Sequence, residues 1–541
     1  MQNQAESLNP NEQANENNPS EQAQSELQEY LAASALRRQV FPRAALVGLA
    51  AGAVAVVFRW LLAGGDDVRA ALLTWAHTMP TVGWIFPMLF GALGAVAAVY
   101  MVRRYAPEAS GSGIPHLEAV LHRLRTLDWR RVLPVKLAGG TLAIGAGMVL
   151  GREGPTVQMG GAAGDAVASL LRSPAQERRT LMAAGAGAGL AAAFNAPLSG
   201  VLFVLEEVQR DFRPIVLGAA FVAAAVADIL ARLAAGQQPV FSVPAYPVAP
   251  LAALPAFAAL GVIAGGMGVV FNRVLLRTLD LSALLQGRGR GAGLAYAAIV
   301  GALVGLVAWF TPMGVGGGHT LTELVLEGNV ALAALPLWFL LRFALTMGSY
   351  STGAPGGIFA PLLVLGALLG LAVGQLAHMV APEAVPQPGV FAVVGMAAYF
   401  TGIVRAPLTG IVLIMEMTGS YSQMLPLLVS CFCAYAVAEY LRDLPVYEAL
   451  LERDLRRGGS ASPHREPVVV EREVEPGSPF AGRQIRDLGL PPGCIIVRCV
   501  EDGREHVPTA RTRLVPHMRI TAVVGPEAEG GVEALRRGCE A

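Results

Sequence analysis

Arg152 and Glu153 stand side by side in GREGP (151–155), inside otherwise apolar territory, and Lys136 stands in VLPVKLAGG. A charge at membrane depth is costly, and where one is kept it marks an ion pathway or a proton relay. Glu206, Glu207 and Glu416 end apolar runs (FVLEE and LIMEM). A carboxylate there either serves such a pathway or meets water at the interface. One that alternates between charged and neutral forms can carry a proton where water is scarce. For Glu207 a purely structural role requires a fixed cation, which Arg210 or Arg213 is near enough in sequence to supply.

A small anion needs positive potential without a full neutralising charge, or it never leaves. Helix N-termini offer this through free backbone N–H groups and a partial charge of about half a unit. Three Gly- and Pro-marked stretches qualify: GSGIP (111–115), GREGP (151–155) and GIFAP (357–361). One alone signals only a turn. Three in one chain point to an anion site assembled from broken helices.

The elements around these stretches must then be membrane helices. Of 541 residues 54% are hydrophobic and 15% charged, against about 25% charged in an ordinary globular protein. Apolar runs at 44–58 and 82–102 can span about 30 Å of hydrocarbon. Others cover roughly 132–150, 181–205, 215–235, 250–272, 292–311, 331–346, 357–379, 390–414 and 424–441. Non-helical backbone at membrane depth survives only when protein buries it or it lines a wet cavity, so the Gly-Pro breaks point to a site. They also repeat. G-x-x-x-P-x-x-x-x-G-x-x-x-G occurs at Gly151, Pro155, Gly160 and Gly164, and again at Gly357, Pro361, Gly366 and Gly370. APLSGVLFVLEE (196–207) is echoed by APLTGIVLIMEM (406–417). Duplicated halves with interrupted helices at matching positions mark a transporter whose site lies between the repeats.

The ends differ from this middle. Residues 1–32 are rich in Asn, Gln, Glu and Ser and read as a disordered tail. A transmembrane domain over 33–455 and a linker over 456–466 precede a soluble α/β module at 467–541. There VVVEREVEP, CIIVRCV and RITAVVG read as strands, with one short helix and a turn in FAGRQIRDLGLPPG. Five cysteines lack zinc-site spacing and eight histidines are scattered, so neither a metal nor a cofactor is proposed, and the thiols read as free. A net charge of zero gives no pointer to nucleic acid.

GSGIP, GREGPTVQMGG and GGIFAP, in this order, with FNAPLSGVLFVLEE and LPVYEALLER, resemble the signature elements of the CLC chloride channel and transporter family over about 40–452. The resemblance implies an all-α polytopic membrane protein, a homodimer with a pore in each subunit, each subunit being two inverted repeats. It implies that Ser112 and Tyr447 offer hydroxyls to a central chloride, and that Ile358, Phe359 and Gly154 offer backbone N–H groups. Glu153 matches the gating glutamate, and Glu207 the inner proton acceptor of the members that exchange chloride for protons. Glu118, Lys136 and Arg152 take supporting positions. The C-terminal module is similar to the second half of RCK potassium-transport regulators, the TrkA-C type, which implies a cytoplasmic nucleotide ligand. Where that family shows Gly-Asp before its last strand this chain has His517 and Met518, so a dimerising module without ligand stands as the alternative.

Three readings follow. The first is a proton-coupled chloride antiporter in the inner membrane, its partners being chloride, protons and the bilayer. The second is a passive chloride channel of the same fold. The third, a cation transporter, rests on the C-terminal module alone, and the absence of a TVGYG-like filter argues against it. An enzyme is the least favoured reading. Arg37, Arg38 and Arg43 before the first span favour cytoplasmic termini.

Overall fold

The structure is a computed structural model that describes residues 19–457, 468–501, 504–525 and 528–540, apart from 80, 211, 290 and 529. Two compact units part near Arg453, and residues 122–126 group with the second. The first unit is helical: α1 (Pro19–Ala76), α2 (Ile85–Tyr105), α3 (Ile114–Leu121), α4 (Trp129–Gly145), α5 (Glu153–Leu170), α6 (Ala175–Phe194), α7 (Pro197–Phe203), α8 (Pro214–Ala235), α9 (Leu254–Gln286), α10 (Ala292–Phe310), α11 (His319–Leu326), α12 (Leu335–Ser351), α13 (Phe359–Val380), α14 (Gly389–Val404), α15 (Pro407–Thr418), α16 (Met424–Tyr440) and α17 (Val446–Arg457). Seven of these helices are long and apolar enough to cross a membrane, so the chain is a multi-pass membrane protein. The backbone is helical from Pro19, so the tail expected over 1–32 gives way to helix there; residues 1–18 lie outside the described residues.

Two runs that read as continuous are each broken in the same way. After α6, Asn195 turns left-handed (φ 53°), and after α14, Arg405 does so (φ 71°); Ala-Pro then starts a new helix in each case. Helix α5 falls in none of the apolar runs, because Glu153, Thr156, Gln158 and Asp165 dilute it. Yet nearly all its residues are buried. From Glu153 to Asp165 it is hidden by protein, not by lipid.

The repeated glycines explain that burial. A Cβ at Gly160 or Gly164 would fall onto the carbonyl oxygens of Gly185 or Leu181 in α6. Gly366 and Gly370 meet Gly395 and Phe391 of α14 in the same manner. Bare backbone lets the two helices of each pair touch, the usual way to gain packing where lipid competes for apolar surface. Gly160→Val is therefore expected to force α5 and α6 apart and to cost about 1–3 kcal/mol. A thermal-unfolding series in detergent checks this, and an unshifted midpoint would contradict it.

The halves meet about a two-fold. Gly151 N–H donates to Gly357 O (2.7 Å) and Gly357 N–H to Gly151 O (2.8 Å), an antiparallel bridge between repeat-equivalent residues. The carboxylate of Glu206 accepts from Leu408 N (3.1 Å) and Thr409 N (2.7 Å), capping α15. Glu416 accepts from Leu198 N (3.1 Å) and Ser199 N (2.8 Å), capping α7. Both carboxylates are half-buried and bound across the repeats. Each is an N-terminal cap on the other repeat's helix, favoured by that helix's dipole.

The second unit carries β1 (Val468–Glu473), β2 (Cys494–Glu501), β3 (Arg504–His506), β4 (Arg519–Val524) and α18 (Gly531–Cys539) in one antiparallel sheet of order β1-β4-β2-β3, with α18 beside it. The three expected strands are present. The helix expected in FAGRQIRDLGLPPG shrinks to a single 3-10 turn, Ile485–Asp487. Gly482 and Gly489, left-handed at φ 77° and 63°, bracket it and leave no room for more. Cys494, Cys499 and Cys539 are free thiols in this unit's core, and burial pushes Cys539 up to about 11.

Candidate anion-binding site

The bridge between Gly151 and Gly357 sets the starts of α5 and α13 against each other. Glu153 is the first residue of α5, 2% exposed, and its Oε2 accepts from Ala360 N–H at 3.3 Å, in the first turn of α13. A carboxylate thus occupies the amide end of the opposite helix, where the field favours any anion. Its other oxygen lies 3.9 Å from Arg152 Nε, and Arg152 Nη2 donates to Ala193 O (3.2 Å). A Cβ at Gly151 would press on the backbone N–H of Ala360 as well as on the Glu153 carboxylate.

Ser112 and Tyr447 come from the turn before α3 and the start of α17. Both are buried, and neither hydroxyl has a hydrogen-bond partner among the described residues. Buried hydroxyls are normally satisfied, so the pair is suited to an acceptor lying between them. Gly154 makes room for this, since a Cβ there would strike Ser112 Oγ. Ile358 and Phe359, both fully buried, form the cap and first residue of α13 and present its free N–H groups. The ring of Phe359 packs on Phe194 (5.4 Å), Phe203 (6.2 Å) and Phe400 (4.6 Å), an apolar layer beneath those amides.

Lys136 does not reach the hydroxyls. Its Nζ, wholly buried, donates to Ala109 O (3.0 Å) and Gly111 O (2.7 Å) and so fixes the turn that presents Ser112. Sequence reading missed its counterpart. Arg342, equally buried, donates to the carbonyls of Gly314 (3.3 Å), Gly316 (3.0 Å) and Gly317 (3.3 Å). Lys136 and Arg342 stand 206 residues apart, the spacing that separates Gly151 from Gly357, so the repeat would have revealed it. Among the described residues neither cation is paired with a carboxylate. Both basic groups are held by backbone carbonyl oxygens alone.

Glu207 lies on a π-helical turn (Val204–Val208) that continues α7. It is 2% exposed, its Oε1 has no partner, and its Oε2 is 4.0 Å from Arg210 Nη2. Glu118 of α3, also buried with an unpartnered oxygen, belongs to the same charged group, as does Glu448. Arg210, rather than Arg213, is the cation beside Glu207. In the second unit His517 takes a left-handed φ of 68°, a conformation that favours glycine, and Met518 is buried in the core.

Residues 93–439 match the family model described as voltage gated chloride channel, and residues 469–535 match that of the TrkA-C domain. The chain is 41% identical over 417 residues to the H(+)/Cl(−) exchange transporter ClcA of Salmonella paratyphi A, covering 76% of this chain and 88% of that one. It is 42% identical over 416 residues to ClcA of Vibrio parahaemolyticus, covering 76% and 89%. Among solved structures, that of a slow cyanobacterial Cl−/H+ antiporter superposes with a TM-score of 0.75 at 36% identity, over 78% of this chain and 99% of that one.

Proposed function

Since the chain belongs to the voltage-gated chloride channel family, we propose that it exchanges chloride for protons across the membrane. The observation that carries this reading is Glu153 seated on the N-terminus of α13. A carboxylate and a chloride ion compete there for the same backbone N–H groups. Protonation removes the carboxylate's charge and its claim on those groups, so it yields the place to chloride. Each exchange of occupant then moves a proton one way and an anion the other. Protons need another inner route, because a cation would not share a path lined by helix N-termini and buried cations. Glu207, buried with one oxygen unsatisfied, serves as the inner proton acceptor, with Glu118 beside it. Exchange is favoured over passive conduction because the relatives matched along most of the chain are exchangers by name.

In this reading Ser112, Tyr447 and the amides of Gly154, Ile358 and Phe359 hold the central chloride. Lys136 and Arg342 supply background potential, and Arg152 positions the outer carboxylate. The protein is a homodimer in the inner membrane with both termini cytoplasmic, and the C-terminal module is a regulatory or dimerising attachment, a nucleotide being its candidate ligand. Tyr447→Ala removes one hydroxyl from the anion. A hydrogen bond to a charged group contributes about 1.5–3 kcal/mol, so chloride affinity is expected to fall by roughly tenfold or more, with looser coupling. Calorimetric titration reads this directly, and an unchanged affinity would remove Tyr447 from the site.

A further inference from the structure

The chain after the π-helical turn bends left-handed at Arg210 (φ 51°), a conformation that costs an L side chain energy and persists only where the surroundings hold it. The bend leaves the guanidinium between two carboxylates. Its Nη2 is 4.0 Å from Oε2 of Glu207, three residues back, and its Nη1 donates to Oε1 of Glu448. Glu448 directly follows Tyr447 in the first turn of α17, 238 residues away in sequence. One cation is therefore shared between the buried inner carboxylate and the turn that carries an anion-site hydroxyl. The other charged groups acting on Glu207 are Glu118 and Glu206, and Glu206 is committed to capping α15.

We infer that Arg210 is a positioning residue that couples the proton state of Glu207 to Tyr447 through Glu448, an inference that rests on the exchanger reading above. When Glu207 is ionised, two carboxylates compete for one guanidinium. The hold on Glu448 weakens and the first turn of α17 loosens. When Glu207 takes up a proton, its pull on Arg210 disappears. Arg210 is then left to Glu448, and Tyr447 is held in place at the inner end of the anion pathway. Arrival of a proton thus tightens the anion's inner exit and its departure relaxes it. An exchanger needs that alternation, because an exit loose in both states leaks chloride.

The test uses the full-length protein in liposomes, with chloride and proton fluxes recorded together. Arg210→Gln and Glu448→Gln are each expected to raise the chloride-to-proton ratio by roughly two- to fivefold, the effect of losing one partly exposed ion pair. Arg210→Lys keeps the charge and is expected to keep most of the coupling. The swap Arg210→Glu with Glu448→Arg re-forms a tether between loop and helix but moves the cation to α17 and puts a carboxylate three residues after Glu207. A merely structural tether is rescued by that swap, whereas the shared cation is not. Wild-type coupling in Arg210→Gln or in the swap overturns this inference while leaving the exchanger reading intact. A wild-type protein that moves no protons overturns both.

Discussion

Glu153→Gln is expected to pass chloride while moving no protons, and to lose the pH dependence of its rate. In the native chain the carboxylate of Glu153 accepts from Ala360 N–H at the start of α13. Lowering the pH protonates it, removes its charge and frees those amides for chloride, so native transport should rise with acidity. Glutamine has the shape of the protonated acid and cannot cycle. Its neutral amide cannot rival an anion for the helix dipole, since a charged acceptor forms hydrogen bonds roughly twice as strong as a neutral one. Proton flux should therefore fall to background, and the chloride rate should be flat from acid to neutral pH. Proton coupling retained in this variant, measured by internal pH in liposomes, would mean that the exchange of occupants happens elsewhere.

Glu207→Ala should likewise stop proton movement but leave chloride flowing down its own gradient and the voltage. A carboxylate kept only for structure has both oxygens satisfied, because an unpaired buried oxygen costs about 1–3 kcal/mol or more. Glu207 has one oxygen without a partner, and the cation nearest the other is held by Glu448. Its repeat counterpart at 417 is methionine, buried among apolar neighbours, so the fold itself does not call for an acid at this place. Loss of protein yield or thermal stability in Glu207→Ala, with coupling preserved in what remains, would assign the residue to structure instead.

Much of this architecture was legible because lipid simplifies the sequence. Apolar runs mark helices, and glycine and proline mark where they break. The repeat spacing located both halves, and the three Gly-Pro stretches named the helix ends that meet. What could not be read depends on neighbours distant in sequence. The breaks at Asn195 and Arg405 carry no glycine, and their left-handed turns follow from the packing around them. Helix α5 hid because burial in protein, unlike burial in lipid, tolerates Thr156, Gln158 and Asp165. Glu206 and Glu416 were identified as residues that matter, but their caps lie about 200 residues away, on helices whose crossing no local pattern describes. Arg342 was missed although the repeat encodes it, since an arginine in a candidate span invites an interfacial reading until its three carbonyl partners are seen.

The central claim is that chloride and proton compete through one carboxylate, so that a gradient of either ion drives the other. Purified protein in liposomes, given an inward chloride gradient, no pH gradient and a potassium ionophore to clamp the voltage, tests it most directly when internal pH and chloride are followed together. The account expects protons to leave against the gradient that builds up, in step with chloride entry, until the chloride gradient is spent. Chloride entry with internal pH unmoved would contradict it and describe a passive channel.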